Sequence, residues 1–173
     1  MTKRNLVGRI FGVAVVCVTV AMITSCISLE GPKTPFQSGD GLIEKLTLDE
    51  LTARAESILV AEVGEIACYK DDEGNIYTLV TLSIEQNIKG ETQQEVVIRI
   101  PGGELNGQTL WVEDAPSFQL GERTVVFLEE CEGTFSVVGG FQGKFTIDSS
   151  NMVDGDTPLS QFIDQIRDIL AKQ

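Results

Sequence analysis

Residues 76–86 read IYTLVTLSIEQ. Ile76, Thr78, Val80, Leu82 and Ile84 fall on one face of an extended chain, and Tyr77, Leu79, Thr81 and Ser83 fall on the other. A period of two, rich in β-branched residues, is the pattern of a strand with one face against a core. Working outward, Asp71, Asp72, Glu73, Gly74 and Asn75 form a turn ahead of it, and Lys89-Gly90-Glu91 forms a turn behind it. Residues 58–66 are apolar on both faces in their first half, as a central strand is. Further short runs follow at 96–100, 109–113, 123–128, 135–138 and 144–147, separated by Pro101-Gly102-Gly103, Glu132-Gly133 and Gly139-Gly140. About seven short strands at such spacing predict a mainly β fold, either a small antiparallel barrel (OB-like) or a sandwich.

Two helices frame these strands. Thr47 and Glu50 have the spacing of a capping box, with Leu46 and Leu51 as a hydrophobic staple, so a short helix is expected through Ala55. Near the C-terminus, Thr157 reads as an N-cap and Pro158 as the first helical residue. Leu159, Phe162, Ile163, Ile166, Ile169 and Leu170 then share one stripe of an amphipathic helix, expected to cover a sheet face or a barrel mouth.

The N-terminus carries an address. Residues 1–26 read MTKRNLVGRIFGVAVVCVTVAMITSC: a cationic start, an apolar run at 10–23, then small residues and a cysteine. That is the layout of a secretory signal peptide. Ile23-Thr24-Ser25-Cys26 resembles the lipobox of bacterial lipoproteins, which implies cleavage before Cys26 and lipidation of its thiol. Two or more acyl chains anchor stably where one is marginal. The alternative is an uncleaved membrane anchor, for which an apolar run of about 14 residues is short against the roughly 20 a span needs. Ile27 stands where an aspartate would resemble an inner-membrane retention signal, so in a host with two membranes the resemblance implies the outer one.

The expected organisation is a signal peptide at 1–25, a lipidated cysteine and flexible tether at 26–44, and a single β-rich domain at 45–173. Residues 28–41, SLEGPKTPFQSGDG, have no periodicity and suit a tether of about 20 Å typical reach. Three of the 13 basic residues and none of the 26 acidic ones lie in the leader, leaving a mature charge of −16. Such a surface repels phosphate backbones and anionic head groups, so nucleic acid is not an expected partner.

After export, Cys17 leaves with the leader and Cys26 is taken by lipid. Cys68 and Cys131 remain, either as two thiols or, as the oxidising compartment favours, as a disulfide. A bridge closing about 60 residues contributes on the order of 4 kcal/mol in the chain-entropy account. Glu129, Glu130 and Glu132 around Cys131 disfavour its thiolate, which argues against a nucleophile there.

Residues 55–145 resemble a widespread group of exported bacterial and archaeal β-domains, mostly without assigned activity. The shared phrases are ILVAEVGEI (58–66), IYTLVTLSIEQNIKGE (76–91), IRIPGGE (98–104), FQLGERTVVFLE (118–129) and VVGGFQGKF (137–145). The strand order and Lys-Gly turn are also similar, more weakly, to the OB-like tissue-inhibitor-of-metalloproteinase and netrin modules. Inhibitors of that type chelate protease zinc through a free N-terminal cysteine amine. Cys26 is expected to be acylated and to stand well ahead of the first strand, so this mode of inhibition does not carry over.

The chain has no histidine, which removes His-based triads and the usual zinc sites. GGFQGKF at 139–145 falls short of a phosphate loop: Val138 stands where its first glycine belongs, and Phe145 replaces the magnesium-holding hydroxyl. A glycine bulge between strands is the expected structure. The acids at 71–75 and the Asp154-Gly155-Asp156 turn lack calcium-loop spacing and read as turns. No cofactor or metal is called for. Gly102, Gly103 and Trp111, the only tryptophan, form the one candidate binding surface, although an indole packed under the glycine loop is the plainer expectation. Three functions fit: a lipid-anchored, non-catalytic binding or structural domain of the envelope, with the membrane and an envelope protein as partners; a carboxylate-dependent envelope hydrolase; or an inhibitor or regulator of an extracytoplasmic enzyme.

Overall fold

The computed structural model describes residues 45–91, 94–131 and 133–173. The signal peptide, the lipidation of Cys26 and the tether at 26–44 lie outside the described residues. The elements, in chain order, are α1 (Leu48–Arg54), β1 (Ser57–Lys70), β2 (Ile76–Lys89), β3 (Glu95–Pro101), β4 (Gly103–Leu105), β5 (Gln108–Leu110), β6 (Arg123–Cys131), β7 (Thr134–Val137), a 3-10 turn (Gly140–Gly143), β8 (Lys144–Ile147), β9 (Met152–Val153), β10 (Thr157–Pro158) and α2 (Leu159–Leu170). The fold is mainly β, as its alternation predicts.

Eight strands form one mixed sheet in the order β1-β2-β3-β7-β6-β8-β9-β10, and β1 pairs with β6 as well. Hydrogen bonding therefore runs from β1 through β2, β3, β7 and β6 and returns to β1. The expectation of a wholly antiparallel sheet fails at one pair, because β3 and β7 run parallel, with Ile98 opposite Phe135. The reason is arithmetic: a circuit of five strands cannot reverse direction at every step. β1 is antiparallel to β2 and β6, and β3 and β7 are each antiparallel to one of those, so β3 and β7 point the same way.

Residues 58–61 of β1 and 125–128 of β6 are apolar on both faces because both faces are covered there. Leu59, Ala61, Val63, Val80, Leu82, Ile98, Val126 and Leu128 build one core. Ile58, Val60, Val125 and Phe127 point the other way, into a second core completed by Leu51 of α1 and by Phe162, Ile163 and Ile166 of α2. Helix α1 begins as its sequence requires: Thr47 Oγ1 accepts from the Glu50 amide, and the Glu50 carboxylate accepts from the Thr47 amide at 2.8 Å.

Helix α2 starts later than expected. Pro158 is its N-cap and Leu159 its first residue, with no side-chain cap. Thr157 and Pro158 pair instead with Val153 and Met152 as β10, and the Leu159 amide donates to the Asn151 carbonyl at 2.9 Å. A local strand pairing outcompetes the threonine cap.

Candidate functional site

Asn106 and Gly107 both have positive φ, 52° and 75°, which is the backbone of a two-residue hairpin turn between β4 and β5. The hairpin leaves β3 through Gly102 and Gly103, whose φ values of 92° and 134° suit glycine. A Cβ on Gly102 would stand 2.7 Å from the Leu110 carbonyl oxygen, and one on Gly103 would collide with Thr78 Oγ1 and approach Cys68 Sγ to 3.0 Å. The chain thus folds closely over the end of β1 and β2. The Gly102 amide donates to the Ile76 carbonyl at 2.8 Å, and Lys70 Nζ donates to Gln108 Oε1 at 3.0 Å.

This arrangement encloses a cleft of about 340 Å³. Ile66, Val80 and Ile100, from the inward faces of β1, β2 and β3, form part of its lining, and Val112, Ala115 and Phe118 from the following segment form another part. Gly102, Gly103 and Trp111 all line it, so the three residues singled out from sequence converge on one site. The burial expected for the indole is corrected: Trp111 is 86% exposed. Beneath the glycine turn lie Thr78 and Cys68, and the Leu110 carbonyl and Val112 stand close to Gly102.

The far wall of the cleft is pinned. The Phe141 amide donates to the Asp114 carbonyl at 2.9 Å, and Lys144 Nζ lies 4.9 Å from the Phe118 ring centroid. The same ammonium pairs with Glu122, whose carboxylate also accepts from the Thr146 hydroxyl at 2.8 Å. Burial pushes the Glu122 carboxyl up, but Lys144, Thr146 and the Gln119 amide outweigh it and hold it below the usual range.

The expected disulfide is absent: Cys68 and Cys131 are both free. Ser57 of β1 lies opposite Leu128 of β6, so Cys131 belongs beyond the N-terminal end of β1 while Cys68 is near its C-terminal end. About 11 residues at roughly 3.3 Å each separate Ser57 from Cys68 along the strand. A bridge needs Cα atoms about 4.4–6.8 Å apart. Strand polarity keeps the thiols separate.

The acidic turns are spoken for by their own backbone. Asp71 Oδ1 accepts from the Glu73 and Asn75 amides at 3.0 and 2.7 Å, and Oδ2 accepts from the Asn75 side chain at 2.9 Å. Asp148 Oδ1 accepts from Ser150 and Met152, and Asp154 Oδ1 accepts from Thr146. Among the described residues, no three His, Cys, Asp or Glu side chains are grouped to hold a metal ion. The glycines at 139–143 form a 3-10 turn rather than a bulge, with Gly140 packed against the Asp114 carbonyl.

Other clefts occur among the described residues. One of about 510 Å³ is lined by Leu46, Leu51, Phe141, Phe145 and Phe162 between the helices and the 3-10 turn. Another of about 440 Å³ has Glu56, Glu91 and Glu130 on its walls. Sequence reasoning passed over the hairpin that shapes the Trp111 cleft, though Asn106-Gly107 is a strong short-range signal for one. No family model, curated protein or solved structure matches the chain.

Proposed function

We propose that this chain is a lipid-anchored protein of the bacterial envelope, attached through Cys26, whose β-domain is a non-catalytic binding module. In this reading the domain is an OB-like barrel. The circuit of pairings among β1, β2, β3, β7 and β6, with its single parallel pair, supports a closed barrel over a sandwich. The ligand enters at the cleft beneath the β4–β5 hairpin.

The observation that carries the binding role is Trp111. An indole 86% exposed at an apolar cleft leaves a large ring in water, and such rings are favoured anchors for partners. The glycines and the pinned wall prepare the cleft before a ligand arrives, which lowers the entropy cost of binding.

Two measurements test the two halves. Native protein extracted from membranes should have the mass of residues 26–173 plus acyl groups; an unacylated full-length chain would end the lipoprotein reading. A photo-crosslinker placed at Thr109 in intact cells should give a product that disappears with Trp111→Ala. No such product would end the binding role at this cleft. A carboxylate-dependent hydrolase has its best footing at Glu56, Glu91 and Glu130, and an activity lost on one of those substitutions would favour it.

A further inference from the structure

The lining of the Trp111 cleft bears on what it takes. Its floor is aliphatic, from Ile66, Val80 and Ile100, and its volume suits one or two side chains. At the rim, Trp111 and Leu110 are exposed, and Glu104 is the one charged residue lining the cleft among the described residues. Glu113 and Asp114, both exposed, stand in the chain between the lining residues Val112 and Ala115. The whole chain carries a formal charge of −13. Indole faces and carboxylates both attract cations, and the acidic field speeds encounter with a basic partner. Beside the cleft, β5 pairs only with β4 among the described residues, and Gln108, Thr109 and Leu110 are all exposed. An extended chain lying there meets backbone donors and acceptors as well as the cleft.

We propose that the cleft binds a basic polypeptide segment, in which a large apolar side chain seats on Ile66, Val80 and Ile100 and neighbouring Lys or Arg side chains meet Trp111 and Glu104. This rests on the binding role proposed for the cleft. The apolar side chain supplies burial; the cations supply selection against acidic or neutral segments.

The test uses the full chain in nonionic detergent and three short labelled peptides, alternating Leu with Lys, Ala with Lys, and Leu with Glu, read by fluorescence anisotropy. The Leu/Lys peptide should bind at least about tenfold more tightly than the other two. Trp111→Ala, which leaves the charge unchanged, should weaken it about tenfold. Glu104→Gln with Glu113→Gln should weaken it several-fold, whereas Asp164→Asn with Asp168→Asn, an equal change of charge on the exposed side of α2, should leave it within about twofold. Equal binding of the Ala/Lys or Leu/Glu peptide, equal losses in the two charge variants, or no binding of any peptide would overturn the proposal. The Thr109 crosslink separates this failure from a deeper one. A Trp111-dependent product mapping to an acidic or uncharged segment overturns the basic ligand alone. Its absence overturns the binding role with it.

Discussion

The hydroxyl of Thr78 donates a 2.8 Å hydrogen bond to the carbonyl oxygen of Gly102, joining the inward face of β2 to the turn that leaves β3. Thr78 Oγ1 also lies 3.5 Å from Cys68 Sγ. One buried carbonyl and one half-buried thiol are thus organised by a single side chain at the base of the candidate cleft. Thr78→Val keeps the shape and removes the donor, leaving the Gly102 carbonyl unsatisfied. The expected cost is about 1–3 kcal/mol by urea denaturation, with an unchanged m-value. A change under about 0.3 kcal/mol would mean the hydroxyl does not hold the turn.

Glu122 ties the segment leading into β6 to Lys144 of β8, and its carboxyl is held below the usual range. Glu85 is likewise held down, first by its hydrogen bonds from Arg123. A carboxyl whose folded pKa is depressed contributes stability that is present above its unfolded value. That stability is lost as pH falls through the folded value. Thermal stability should therefore decline as pH drops below about 4, the ordinary carboxylate range. Glu122→Gln should show a shallower decline over the same window. Parallel curves for the two proteins would show that the Glu122–Lys144 pair contributes nothing to acid sensitivity.

Cys131 is exposed and Cys68 is half-buried behind Gly103. In native protein, a thiol reagent should modify the exposed Cys131 before the half-buried Cys68, and reduction should leave the intact mass unchanged. A gain of two hydrogens on reduction would require a bridge, and the register of β1 against β6 would then be wrong.

The readable part of the fold was the local part. Alternation over 76–86 and the Thr47–Glu50 spacing act within one turn or one strand, where neighbouring residues alone determine the outcome. The parallel contact between Ile98 and Phe135 and the separation of Cys68 from Cys131 depend on how five strands close upon one another, which no local pattern records. The strand pairing of Thr157 with Val153 was hidden because each partner strand is two residues long. At the site, Gly102, Gly103 and Trp111 were legible as a group because glycines and an isolated indole cluster in one short segment. The exposure of Trp111 was not, since no local pattern records which side of the hairpin the rest of the chain covers.

Helix α2 is part of the core rather than an accessory. Phe162 is buried and its ring lies 4.9 Å from that of Phe145, which in turn meets Phe127 of β6 at 5.6 Å. The three rings carry contact from helix to sheet alongside Ile163 and Ile166, and Phe162 is the largest of the three buried side chains on α2. Phe162→Ala removes the burial and leaves a cavity, so a loss of about 3–5 kcal/mol is expected by urea denaturation. For a domain of this size, that is a large share of the total stability. Asp168→Asn, on the exposed side of the same helix, should change stability by no more than about 0.5 kcal/mol. If Phe162→Ala costs less than about 1 kcal/mol, the helix is held by some other contact and the second core does not depend on it.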